Sequence, residues 1–132
     1  MATLDDAARL ASALPDVHEG TRHGNRTWFV GSKGFAWERP FSKADIKRFG
    51  AEVPPDGPIL AVSVADLEEK EIALATHPDE FFTISHFDGY PAILIQLDVT
   101  STESLEDAIL DGWLVVAPAQ LADEYLLARG DD

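Results

Sequence analysis

The chain has 132 residues and no cysteine, which bounds it to one domain (1–132) that buries a core without disulfides and excludes thiol nucleophiles and Cys-ligated zinc. Its formal net charge of −14 repels nucleic acid and anionic membranes at long range. There is no apolar run of about 18 residues, and the N-terminal stretch carries Asp5 and Asp6 with no basic region, so the expectation is a cytoplasmic protein with no membrane partner.

Thr3 suits the cap of a first helix, with Asp5 and Asp6 in the first turn and Leu4, Ala7, Ala8, Ala11 and Leu14 at helical spacing; Pro15 ends it. A loop containing Val17 and Gly20 is expected next. Thr27 to Val30 and Phe35 to Arg39 then read as two strands joined by a tight turn over Gly31 to Gly34. Between Pro40 and Pro58 the stretch SKADIKRFG predicts a short helix begun by Ser42, with Ile46 and Phe49 inward. Ile59 to Val64 suits a buried strand. Asp66 and Glu69 have the spacing of a capping box for a helix from Leu67 to Thr76.

The stretch His77 to Asp98 holds two apolar runs, Phe81 to Ile84 and Ala92 to Leu97, around a tip with His86, Asp88, Gly89 and Pro91. It predicts a hairpin in the middle of a sheet, with Ile93, Ile95 and Leu97 on one face and Ala92, Leu94 and Gln96 on the other. Thr102 is expected to cap a helix whose stripe is Leu105, Ile109, Trp113 and Val116, and Pro118 to open a last helical segment through Tyr125. The order is α-β(3)-α-β(2)-α, with helices on one face of the sheet.

Four segments in this order, LPDVHEGTRHG (Leu14 to Gly24), SKGFAW (Ser32 to Trp37), HPDEFFTISHFDGYPAILIQLD (His77 to Asp98) and WLVVAPAQL (Trp113 to Leu121), resemble the MmcQ/YjbR family of small bacterial proteins. The resemblance implies an α+β two-layer sandwich with a five-stranded antiparallel sheet, of the kind found in type III secretion chaperones and likened to frataxin-type folds and a double-wing DNA-binding motif. DNA is the partner that this likeness suggests, on fold alone. The chain departs from the family where basic residues are common: Leu114, Ala119 and Gln120 stand there instead.

Charge is unevenly placed. Arg22, Arg26, Lys33, Arg39, Lys43, Lys47 and Arg48 are seven of the ten Lys and Arg and share their segment with only Glu38 and Asp45, so it carries +5 against −19 elsewhere. Trp28 and Trp37 sit among these cations, either as cross-strand packing or as an aromatic surface for stacking and phosphate contact. The first expectation is therefore a non-enzymatic binding domain, with Arg22, Arg26, Lys33, Trp37, Arg39, Lys43, Lys47 and Arg48 meeting DNA weakly and in a salt-dependent way. A second is a protein-interaction or chaperone-like module that uses the acidic helices or the sheet face, as a homodimer or with another protein. A third places a small-molecule site at His86, Asp88 and Tyr90, with His86 oriented by Asp88; the plainer reading of the same tip is a hairpin turn, with Asp88-Gly89 supplying the backbone geometry. His18, Glu19 and His23, or His77 and His86, lack any recognised ligand spacing, and neither a GxSxG elbow nor a phosphate loop occurs, so no metal, cofactor or catalytic residue is assigned.

Overall fold

A computed structural model describes residues 1–129. Six antiparallel strands form one sheet in the order β1-β2-β3-β4-β6-β5, with five helices packed against it. The α+β class stands as expected, with one strand more. Among the described residues no helix is long and apolar enough to cross a membrane.

Helix α1 (Leu4–Ser12) begins at a reciprocal cap: Asp6 N donates to Thr3 Oγ1 (3.1 Å) and Thr3 N to Asp6 Oδ2 (3.0 Å). The added strand is β1 (Val17–Arg22), which pairs along its length with β2 (Asn25–Val30) where a loop was expected. It is an edge strand with only Val17 and Gly20 partly buried, so its hydrophobic signal is weak. Its turn was the readable sign: His23 and Gly24 both take positive φ, 55° and 79°, as a two-residue type I′ hairpin requires.

Between β2 and β3 (Lys33–Glu38) the register shifts, so that Phe29 faces Gly34 while Trp28 faces Ala36. Phe35 is the extra residue of this bulge. Both Phe35 and Ala36 therefore enter the same core, and Gly34 and Trp37 come to share the opposite face. Helix α2 (Lys43–Phe49) corrects one expectation: Ile46 is half exposed, and Asp45 turns inward in its place. Asp45 caps Ser42 N at 2.9 Å and pairs with Arg39 at 2.9 Å, so its position follows from charge and capping rather than from apolar spacing.

Strand β4 (Ile59–Ser63), helix α3 (Leu67–Thr76), strand β5 (Phe81–Phe82) and strand β6 (Ala92–Gln96) follow. The hairpin expected at the centre of the sheet lies at its edge, since β5 is the last strand and only two residues long. A 3₁₀ turn (Ser85–Phe87) fills the tip. Helix α4 (Thr102–Val116) is capped by Ser101 rather than Thr102, through a bond from Ser104 N (3.0 Å), and α5 (Ala119–Ala128) closes the fold.

Strand alternation sorts the interior into two layers. Leu60, Val62, Ile93, Ile95 and Leu97 face α1 and α4 in the larger core, with Trp28 and Trp113 fully enclosed. Ile59, Ala61, Ala92 and Leu94 face the other way, under Ile84 and Phe87 and beside Phe41 and Phe49. Here the expectation of helices on one face is modified: the short α2, whose Phe49 packs in this second cluster, and the tip cover part of the opposite face.

Candidate ligand-binding cleft

The cover on that second face is incomplete, and where it stops a cleft of about 670 Å³ opens. Its sheet side comes from Arg22, Asn25, Thr27, Gly34 and Trp37, and its other wall from the chain around Arg39 to Ser42 and from His86, Phe87 and Tyr90 of the tip. Two groups of candidates that are far apart in sequence thus meet: Arg22, Trp37 and Arg39 of the basic segment, and His86 and Tyr90 of the tip. Among the described residues no aspartate or glutamate lines the cleft, on a chain with 24 of them.

Each arginine is held differently. Arg22 is exposed, its guanidinium 5.1 Å above the Phe29 ring, with one long hydrogen bond to Ser32 O (3.5 Å). Arg39 is mostly buried and committed: it lies 5.5 Å over Phe87, donates to Pro40 O at 2.6 Å and pairs with Asp45 at 2.9 Å. Burial alone would push the Asp45 carboxyl up, but the hydrogen bonds from Ser42 and the Arg39 guanidinium outweigh it and hold it below the ordinary aspartate value. Arg22 is therefore the cation available to a ligand, and Arg39 a preorganised part of the wall.

The tip is fixed from behind by a buried lysine that sequence reading did not single out. Lys70, on α3, donates to Phe87 O (2.7 Å) and Tyr90 O (2.9 Å), pinning both ends of the segment that carries the aromatic wall. Burial lowers its pKa, and the Asp88 charge opposes that shift. A lone lysine on a helix of glutamates gives no sign of burial in the sequence; its long aliphatic stem is what lets the ammonium reach the two carbonyls.

The remaining candidates are placed elsewhere. Arg26 lies on the helical side of the sheet, 5.4 Å over Trp28, paired with Glu19 (2.9 Å) and Asp5 (3.3 Å), and its hydrogen bond keeps the Glu19 carboxyl below its usual value. Lys33 is exposed at the β2–β3 turn, and Lys43 and Lys47 are exposed on α2. Arg48 approaches Asp45 at 3.8 Å and shares a shallow depression with Asp88. His86 lies in the cleft while Asp88 lines that other depression, so the carboxylate does not orient the imidazole there. His18 stacks on Phe29 and His77 bonds to Glu80; among the described residues no three His, Asp or Glu side chains converge as a cation site would need.

Sequence reading missed Asn25, Thr27, Phe41, Ser42 and Phe87 as cleft residues. Asn25 and Thr27 alternate along β2 and could have been placed on one face by the two-residue period; Phe41 and Ser42 are brought there only by the path of the chain after β3.

The YjbR family model matches residues 12–115. The chain belongs to the YjbR family. Proteins described as uncharacterized in Mycobacterium tuberculosis (Rv2570) and Mycobacterium bovis (Mb2600) are each 43% identical over 133 residues, covering 98% of this chain and all of the relative. The crystal structure of Deinococcus radiodurans protein DR2400, which carries the DUF419 domain, superposes with a TM-score of 0.64 at 19% identity, over 98% of this chain and 89% of that one. At that identity the likeness speaks for the fold.

Proposed function

We propose that this YjbR protein is a non-enzymatic binding domain whose cleft takes an anionic ligand bearing a flat aromatic ring, the chemistry of a nucleotide. The observation that carries this is the meeting of Arg22 and Arg39 with Trp37, Phe87 and Tyr90 in a cleft that, among the described residues, no carboxylate lines. Stacking of a base on an aromatic side chain is worth about 1–3 kcal/mol and tolerates any base. Arg22 supplies the opposite charge for a phosphate or carboxylate on the same ligand.

DNA fits this reading as single strand rather than duplex. Of the eight contact candidates, Arg26 and Arg39 are neutralised by acids and Arg48 lies near one. The exposed remainder, Arg22 with Lys33, Lys43 and Lys47, is a small set against a net charge of −14. A duplex needs many phosphate contacts to hold against salt. An unpaired nucleotide needs the cleft and one cation.

Tryptophan emission tests this directly, because Trp28 and Trp113 are fully buried and Trp37 is the one at the cleft. Titration at about 50 mM salt with a mononucleotide, a single-stranded oligonucleotide and the matching duplex is expected to quench Trp37 with the first two and far less with the third. Arg22→Ala is expected to weaken binding about tenfold and to change stability by less than about 0.5 kcal/mol, as a surface substitution does. No quenching by any of the three, or equal binding by the Arg22→Ala variant, would end this reading.

A further inference from the structure

The helical side of the sheet has a gap of its own. Between α3 and α4 runs a groove of about 510 Å³ whose floor is apolar, made of Phe81, Ile93 and Ala108. Along its walls Ile72 and Val115 are left 50% and 43% exposed. Helix α3 fully buries only Lys70, which serves the tip; Ala73 and Leu74 pack partly against the core, while Leu67 and Ile72 stay about half exposed with no cover within the fold. Ala73 and Ala108, small residues on facing helices, leave room for another backbone to come close.

The groove is bordered by one sign of charge. Asp66, Glu69, Asp107 and Asp111 line it, and among the described residues no lysine or arginine does. Burial pushes the Asp111 carboxyl up, and its neighbours Asp107 and Glu69 push it further, so these three acids repel one another across the groove.

We infer that this groove is a docking site for a basic amphipathic helix of a partner protein, its apolar face laid on Ile93 and Ala108 and its lysines or arginines against the four acids. The shape argues for a helix: two side-by-side helices on a sheet leave the next place in the helical layer, and an amphipathic helix fills such a place with anchors three and four residues apart. The charge argues for a foreign partner. The chain's own cationic helix, α2, has seven residues and is held down at Asp45, and two copies at −14 each repel.

The probe is a synthetic helical peptide of about 15 residues with leucines at helical spacing on one face and lysines flanking them, beside a counterpart with every lysine replaced by glutamate. The lysine peptide is expected to bind with an affinity that falls as salt is raised, and to shift backbone amide resonances of α3 and α4. Val115→Arg, at a half-exposed position, is expected to weaken it about tenfold or more while the melting temperature and the Trp37 response to nucleotide stay unchanged. Glu69→Lys is expected to do the same by charge alone. Failure of the lysine peptide to bind, equal binding by the glutamate peptide, or indifference to both substitutions would overturn the inference. So would a concentration-dependent dimer that Val115→Arg dissociates, since the groove would then belong to a second copy.

Discussion

The two faces of the sheet share the same strands but are finished differently. On one face long helices cover the core except at the groove between α3 and α4, and Trp28, Phe35, Leu60, Ile95 and Trp113 are fully excluded from water. On the other a seven-residue helix and a 3₁₀ turn cover β4, β5, β6 and part of β3, leaving Trp37 half buried at the mouth of a cleft. The first face stabilises by apolar area; the second is held by directed polar contacts, Arg39 to Asp45 and Lys70 to two tip carbonyls. Where a covering layer ends before the sheet does, strand side chains stay reachable, and the contacts that stop the layer there also shape the site.

Substitution on each face sharpens this contrast. The largest effect is expected from Ile95→Ala, which empties space in the fully closed core between Leu60 and Phe81 across the strands. Denaturant unfolding should show a loss of about 2–5 kcal/mol in one cooperative transition. The nucleotide response of the remaining folded protein should be unchanged. If cleft and core were instead one mechanical unit, that response would fall in step with stability.

Asp45→Ala strikes the other face and is expected to rank next. It removes the counter-ion of a mostly buried guanidinium and the N-cap contact of α2 together, so a loss of about 2–3 kcal/mol follows, somewhat below that of a deeply buried pair. Hydrogen exchange should locate the damage in α2 and the tip, with α1 and α4 still protected. The pH dependence has the matching sign. Because the folded-state pKa of Asp45 lies below its unfolded value, its contribution is present above the unfolded value and is lost as pH falls through the folded one. Glu80 behaves likewise: burial raises its pKa, but bonds from Ser101 N, the Thr100 hydroxyl and His77 outweigh that and lower it. Acid should therefore open α2 in the wild type, and Asp45→Asn should flatten that part of the profile.

What could be read from the letters follows the same division. The closed face was legible because its signals are periodic: the Ile93, Ile95, Leu97 alternation and the Leu105, Ile109, Trp113 stripe name their faces directly. The family segments add the topology. The open face was not legible as a site, because it depends on three aperiodic events. A one-residue bulge at Phe35 turns Trp37 toward the cleft, Asp45 displaces Ile46 from the inward position, and β5 stops after two residues so that a 3₁₀ turn folds the tip back. Arg22, Trp37, Arg39, His86 and Tyr90 could each be picked out as chemistry-bearing, yet nothing in their spacing says that they share one wall. Lys70 was invisible for the reverse reason, being a buried cation among surface acids.

Lys70→Met gives the finest test of the comparison. The substitution keeps the aliphatic stem and removes the ammonium, leaving Phe87 O and Tyr90 O without their donor. Unsatisfied carbonyls cost about 1–3 kcal/mol when buried, but the ammonium itself is desolvated by the burial of Lys70, and removing it returns part of that cost. The net change in stability is expected to be about 1 kcal/mol or less, whereas the tip, freed at both ends of its aromatic segment, should lose order. Nucleotide affinity should then fall more than stability does, with raised exchange confined to residues 85–91 and none in α4. Equal losses in the two would mean that Lys70 merely fills space, and that the open face, like the closed one, is held by packing.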